Sequence, residues 1–352
     1  MQLSDTGLVL GIETSCDETA AAVVRGGHEI LSNTVASQEE IHAHFGGIVP
    51  EVASRRHAEL ITAVVESALR EASVSWDDLD LLAVTRGPGL VGSLLVGVSA
   101  AKGYALATGL PLIGVNHIAG HITSSFLLSP GGADPAPLEF PALALIASGG
   151  HSDLALVEGL GQYHLVGFTR DDAAGEALDK AARLLGLGYP GGPAIERAAR
   201  DGDPRAVALP RPDTDEGFEF SFAGLKTALV RIVEPGGVEA SGHSVADLAA
   251  SFQQAVVDCL VRETIEAATH FGARQIVVAG GVAANQTLRG EMIAAARRLG
   301  LTAYFPPMSL CTDNAAMVAA AGHFEAGLRD PDDLSMQVDS ALRLGPRTQP
   351  EL

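Results

Sequence analysis

The sequence predicts an α/β fold of two lobes that share one strand order and face a central cleft, and three observations lead to it. The chain has 352 residues, more than one ordinary hydrophobic core accommodates. A series of apolar strand, polar turn, strand, glycine turn and strand occurs twice along it. After each series come a further strand, a glycine-rich turn, a helix and a short strand. Internal duplication of this kind constrains a fold more than any single element does.

In the first half, residues 8–12 read as a buried strand, 13–19 as a polar turn and 20–25 as a second strand. Gly26-Gly27 turns the chain back into a third strand at 29–35. Ala58, Ile61, Val64, Val65, Ala68 and Leu69 then recur at threes and fours, the spacing of a helix with one apolar face. Residues 80–85 form a strand, 86–93 a glycine-rich turn, 94–106 a helix, and 111–115 a short strand running into Asn116. In the second half, strands are expected at 141–147, 154–158 and 163–167, separated by a polar turn at 148–152 and a glycine turn at 159–161. A strand at 274–279, a glycine-rich turn at 280–285, a helix at 286–299 and a strand at 302–305 complete the repeat. The span from Gly26 to Leu79 is 53 residues, whereas that from Gly159 to Gln275 is 116, so the second lobe carries an insertion at about 168–250. Residues 1–115 are assigned to lobe I, completed by a C-terminal helix at 314–345, and residues 116–313 to lobe II.

With 47% hydrophobic and 19% charged residues, the chain is expected to pack rather than stay disordered. The N-terminal segment lacks a basic n-region, and no apolar run reaches the roughly 18 residues that cross a bilayer, so a cytoplasmic protein with no membrane partner is expected. Cys16, Cys259 and Cys311 are too few and too scattered for a disulfide framework and read as free thiols. A net charge of −20 excludes broad, non-specific attraction to nucleic acid, because phosphate binding needs clustered Lys and Arg. Nucleic-acid contact is therefore confined to local patches. Those on offer are Arg55-Arg56-His57, Lys180 with Arg183, the arginines Arg197, Arg200, Arg205 and Arg211, and Arg297-Arg298.

If Asn116 caps a helix, His117 and His121 lie one turn apart on a single face, the spacing of two imidazoles on one metal ion. That interval also arises by chance among 11 histidines, so a third ligand decides the matter. The duplication locates one: Cys311-Thr-Asp-Asn314 follows the last strand of the second repeat as His117 follows that of the first, and Asp313 is its carboxylate. Two imidazoles and a carboxylate leave coordination positions open for substrate. The turns Ser148-Gly-Gly-His151 and 280–285 offer backbone N–H groups with no side chain to block an anion, and the second leads into a helix N-terminus. Either turn alone could equally close a hairpin. Gly191-Gly192 permits close approach of a flat ligand, Glu196 suits ribose hydroxyls, and Asp179 with Lys180 reads equally well as a surface ion pair.

Duplicated lobes with polar turns pointing into a cleft resemble the actin, hexokinase and Hsp70 (ASKHA) superfamily, whose glycine-rich turns hold nucleotide phosphates. From Leu8 to about Gly327 the chain more closely resembles the tRNA N6-adenosine threonylcarbamoyltransferase family, formerly called O-sialoglycoprotein endopeptidase. The motifs Glu13-Thr-Ser-Cys-Asp-Glu-Thr19, Asn116-His-x-x-Gly-His121, Ser148-Gly-Gly-His151, Gly175-Glu-Ala-x-Asp-Lys180, Tyr189-Pro-Gly-Gly-Pro193, Phe220-Ser-Phe-x-Gly-Leu-Lys-Thr227, Gly280-Gly-Val-x-Ala-Asn285 and Thr312-Asp-Asn314 stand in that family's order. Ser152, Leu178 and Ala223 replace the usual Thr, Phe and Ser; the first two keep a hydroxyl and an apolar face, and only Ala223 loses a function.

The resemblance implies one divalent ion, iron (Fe2+) with zinc as the alternative, on His117, His121 and Asp313. It implies an adenylate held by Ile146, Ala147, Ser148, Gly149, Gly150, Asp179, Gly192, Glu196 and Asn285. The implied reaction transfers the threonylcarbamoyl group of threonylcarbamoyl-AMP to N6 of adenosine 37 in tRNAs reading ANN codons. Implied partners are a shorter paralogue of the same fold and a small P-loop ATPase. The exocyclic amine is a poor nucleophile and must lose a proton, which makes Asp17 and Glu18 the candidates for positioning or proton transfer, although acidic turns are as often merely solvated. An ASKHA-type small-molecule kinase would share the lobes but have no use for the metal set. A metallopeptidase would want a glutamate where Ile118 stands, and a non-catalytic scaffold paralogue should have lost the ligands and the phosphate turns.

Overall fold

The computed structural model describes residues 3–128, 138–211, 217–234 and 236–346. Two compact units emerge. The first comprises the described residues of Met1–Pro137 with Gly159–Tyr163 and Pro306–Pro346; the second comprises Leu138–Glu158 and His164–Phe305.

The first unit starts with strands β1 (Leu8–Glu13), β2 (Glu18–Arg25) and β3 (Glu29–Ser37), then helices α1 (Glu39–Ala43) and α2 (Pro50–Ala72). Strand β4 (Leu81–Gly87), helix α3 (Val91–Thr108), strand β5 (Leu112–Asn116) and helix α4 (His117–Ser124) follow. The sheet order is β3-β2-β1-β4-β5, with β1 antiparallel to β2 and parallel to β4. In the second unit, strands β6 (Ala142–Ala147), β7 (Ser152–Gly159) and β8 (Gln162–Phe168) precede helices α5 (Ala174–Leu184), α6 (Gly191–Ala199), α7 (Ala223–Val233) and α8 (Val245–His270). Strand β9 (Gln275–Ala279), helix α9 (Gln286–Arg298) and strand β10 (Thr302–Tyr304) end it. Its sheet order, β10-β9-β6-β7-β8, is the first order again with each strand replaced by its repeat. The last helix, α10 (Ala315–Ala326), returns to the first unit.

Period-two alternation explains the first sheet. Val9, Ala22, Val24, Leu81, Ala83 and Ile113 pack in one core with α10, while Leu10, Ile12, Val23, Leu82, Val84 and Leu112 pack in the other with α2 and α3. Because both faces are covered, the strands read as nearly continuous apolar runs. Small residues bring α10 close: a Cβ on Gly11 would lie 2.3 Å from the carbonyl oxygen of Ala315, and one on Gly322 would lie 2.4 Å from the Cβ of Ala83.

Several boundaries differ from the sequence reading. Helix α3 begins at Val91 rather than 94, because the turn closes at Leu90, whose N–H bonds the Ser15 carbonyl at 2.8 Å. Its 18 residues have a mean hydropathy of 1.2, so a run long and apolar enough to cross a bilayer does exist, contrary to expectation. In this fold α3 packs one face on the first sheet: Leu94, Val98 and Ala101 are buried, and the Lys102 ammonium donates to the Met336 carbonyl. The C-terminal helix stops at Ala326 instead of 345, since Gly327 and Pro331 favour no further helical turns and residues 327–346 run through turns and bends. Helix α4, which the sequence reading puts at the start of lobe II, packs on α10 in the first unit, where Thr123 Oγ1 donates to the Met317 carbonyl at 2.9 Å. The long helix α8 was not foreseen; it precedes β9 as α2 precedes β4, while α5 to α7 fill the insertion.

Candidate metal centre and nucleotide turns

Asn116 ends β5 and caps α4, its Oδ1 accepting from the N–H groups of Ile118 at 2.8 Å and Ala119 at 3.4 Å. This cap starts the helix at His117, so the imidazoles of His117 and His121 project together with ring centroids 4.6 Å apart. Asp313, just ahead of the N-cap of α10, brings Oδ1 to 3.5 Å from His117 Nε2 and 3.2 Å from His121 Nε2. The three candidate ligand atoms lie within 4.8 Å of one another. All three residues belong to the first unit, so the carboxylate does not have to be supplied by the second.

The donor set fits a cation. His121 is fully buried, yet neither ring nitrogen has a hydrogen-bond partner among the described residues, although Nε2 lies 3.2 Å from Asp313 Oδ1. An unsatisfied buried imidazole is costly unless its lone pair is used. The surrounding charge points the same way. Glu18 is pushed up to about 10 by burial and then by the negative charges of Asp313 and Asp17, repulsion that a bound cation relieves. Burial would lower His117, but the carboxylates of Asp313 and Glu13 hold it at about 9. The Cys16 thiol is pushed well above its usual range by burial and the nearby acids.

The acidic turn that carries Asp17 and Glu18 is held through its backbone. The Cys16 carbonyl accepts from His57 Nε2 at 3.0 Å, and the Asp17 carbonyl accepts from the Gln38 N–H at 3.1 Å. His57 Nδ1 lies 2.8 Å from Thr19 Oγ1, so this buried ring is a neutral brace, its pKa lowered by burial.

In the second unit, Ile146 and Ala147 are fully buried at the end of β6. The turn after them is closed by a 2.8 Å bond from the Ser148 N–H to the His151 carbonyl, and the Cβ positions of Gly149 and Gly150 meet nothing within 4 Å. Gly192, the second residue of α6, has the same freedom. Asp179 Oδ1 accepts from the Gly191 N–H at 2.7 Å, with its pKa raised by burial. The alternative reading of Asp179 and Lys180 as an ion pair is not met among the described residues: Lys180 bonds Asp172 at 2.5 Å and Glu176 at 2.9 Å instead, since neighbours in a helix point to different sides. Glu196 Oε1 accepts from the Gln286 N–H at 2.8 Å. Asn285 caps α9 through the Leu288 N–H at 3.0 Å and donates to Gln253 Oε1 at 2.8 Å. Ser152 puts its retained hydroxyl to use, accepting from the Ala174 N–H at 2.9 Å.

The residues missed in the sequence are those behind the imidazole: Glu13, Ser15 and Thr85. Glu13 Oε2 lies 3.1 Å from His117 Nδ1, and nothing in the spacing of positions 13 and 117 announces the contact. The available signals were a glutamate at the end of an apolar strand and its place, with Ser15, in the motif Glu13-Thr-Ser-Cys-Asp-Glu-Thr19. Among the basic patches, Arg55 is paired with Glu51 at 2.7 Å, Arg56 with Glu59 at 2.8 Å and Arg211 with Asp258 at 2.6 Å.

Residues 29–320 match the family model described as TsaD, tRNA N6-adenosine threonylcarbamoyltransferase. A protein of that name from Symbiobacterium thermophilum is 54% identical over 341 residues, covering 96% of this chain and 98% of its own. One from Geobacillus thermodenitrificans is 51% identical over 346 residues, covering 98% and 99%. Among solved structures, HypF from T. kodakarensis superposes with a TM-score of 0.60 at 17% identity, covering 92% of this chain and 48% of its own. Component A of (R)-2-hydroxyglutaryl-CoA dehydratase from Acidaminococcus fermentans gives 0.53 at 14%, covering 91% and 99%. These last two likenesses concern the fold, the duplicated actin- and hexokinase-like architecture.

Proposed function

The chain belongs to the tRNA N6-adenosine threonylcarbamoyltransferase family and forms t6A on tRNA, and on that premise we propose how its residues divide the work. His117, His121 and Asp313 hold a divalent ion, iron in preference to zinc, and Ile146 to Gly150, Asp179, Gly192, Glu196 and Asn285 form the adenylate site. The donor is threonylcarbamoyl-AMP and the acceptor is adenosine 37 of tRNAs reading ANN codons. The observation that carries the metal assignment is the buried His121 ring with both nitrogens unsatisfied beside Asp313.

When bound, a divalent ion at this set supplies Lewis acidity to the carbamoyl carbonyl and the leaving phosphate. The chain's own groups do the rest. Open backbone at Gly149, Gly150 and Gly192 admits phosphate and base without steric conflict. The N6 nitrogen forms a bond to the carbamoyl carbon, the carbon–oxygen bond to phosphate breaks, and its electron pair leaves with AMP. The amine proton goes to the acidic turn. Asp17 and Glu18 of that turn are the groups that position the amine or take its proton. A cytoplasmic setting, a shorter paralogue of the same fold and a small P-loop ATPase complete the reading.

The test is reconstitution of the purified chain, alone and with those partners, with synthetic threonylcarbamoyl-AMP and tRNA, with t6A read by mass spectrometry. His117→Ala and Asp313→Ala should lose at least 100-fold in metal affinity and all measurable t6A formation, at a melting temperature within a few degrees of wild type. Full metal occupancy in either variant would mean that the ligand set is wrong.

A further inference from the structure

Glu13 is the last residue of β1, and its side chain is fully buried. A bare carboxylate there would be expensive, so its bonds reveal its use. Oε1 accepts from the Ser15 N–H at 2.5 Å. Oε2 accepts from Thr85 Oγ1 at 2.6 Å and lies 3.1 Å from His117 Nδ1. Ser15 Oγ is 3.2 Å from the same ring nitrogen. With a carboxylate and a hydroxyl both facing Nδ1, that nitrogen keeps its proton when the ring gives one up to bind a cation, which frees the lone pair on Nε2, the atom nearest Asp313. The second imidazole has no such support, because His121 Nδ1 is buried without a hydrogen-bond partner among the described residues.

We propose that Glu13, steadied by Thr85 and the Ser15 backbone, is a positioning residue that fixes the tautomer and ring orientation of His117 for metal binding. The two histidine ligands are thereby unequal, one held electrostatically and the other by packing alone. A carboxylate behind a ligating imidazole also makes the ring a better electron donor, and loss of such support costs about 10- to 100-fold in metal affinity. The inference rests on the ligand set proposed above.

Co2+ binding to the full chain tests it, with the dissociation constant measured by competition with a chromophoric chelator. Glu13→Gln keeps the shape and removes the charge; it should weaken Co2+ about 10-fold or more while circular dichroism and melting stay close to wild type. In the Co2+-loaded protein, the exchangeable His117 Nδ1–H resonance should exchange faster with solvent in Glu13→Gln, a change that a purely structural role would not produce. If Glu13→Gln does not fold, Thr85→Val, which takes one hydrogen bond from the carboxylate, should still weaken Co2+ several-fold. Unchanged affinity in the folded Glu13→Gln protein, or in Thr85→Val where that one fails to fold, overturns the proposal. Unchanged affinity in His117→Ala would instead overturn the ligand set itself.

Discussion

Asp153 stands on β7 opposite Ile146, and no side-chain partner for it exists among the described residues. Burial alone pushes its carboxyl up to about 7. The native state therefore keeps a proton that the unfolded chain releases near pH 4. Between those values stability falls as pH rises, and above the native pKa the loss is complete. Asp153→Asn should leave stability unchanged at pH 4 and raise it by roughly 2 kcal/mol at pH 8, a figure discounted for partial exposure of the side chain. Urea melts of both proteins at the two pH values measure this. Equal gains at both would mean that the carboxylate is not the source of the strain. No reading of the sequence marks Asp153, because alternation along β7 says which face it takes but not that a partner is missing there.

At the scale of elements, α10 is placed by what the first sheet lacks. Gly11 leaves room for the backbone of α10, and an added Cβ would lie 2.3 Å from the Ala315 oxygen and 2.6 Å from the Ala319 nitrogen, atoms that cannot rotate away. Gly11→Ala should cost about 2–3 kcal/mol. Because Asp313 immediately precedes the N-cap of α10, the variant should also lose metal affinity out of proportion to its remaining folded fraction. Gly103 is the control: exposed on α3 with nothing within 4 Å of an added Cβ, it should gain about 0.5–1 kcal/mol as Ala. Thermal melts and Co2+ titration of the two variants distinguish a packing effect from a general intolerance of glycine replacement. Asparagines at 116, 285 and 314 cap α4, α9 and α10. The first was legible as a cap because an apolar strand stops at it; the other two stand several residues past the ends of β9 and β10.

For the whole molecule, a charge of −20 makes tRNA engagement depend on a few cations. Arg55 and Arg56 sit on α2 beside His57, which braces the acidic turn, and Arg197 follows Glu196 on α6. Their replacement by Glu should abolish t6A formation while sparing AMP binding. Arg297 and Arg298 are exposed in the last turn of α9, three turns from Asn285, and their reversal should be nearly silent. Normal t6A formation by the Arg55, Arg56 and Arg197 variants with partner subunits present would transfer the tRNA contact to those partners. The exposed pairs Arg55–Glu51 and Arg56–Glu59 do not oppose this role, since such pairs contribute little and exchange readily for phosphate.

The sequence by itself determined the duplicated strand order, both glycine-rich turns and the three metal-ligand candidates. Alternation, helical spacing and the position of a residue after a strand are local properties, and the repeat carries them from one half to the other. Only the tertiary structure decided that Glu13 backs His117, that Lys180 turns to Asp172 and Glu176, and that α4 and Asp313 share the first unit with α10. It also decided where α3 begins, because that limit depends on the carbonyl of Ser15. A contact between positions 13 and 117 has no period to betray it; it exists because parallel strands β1, β4 and β5 bring the residues at their ends together.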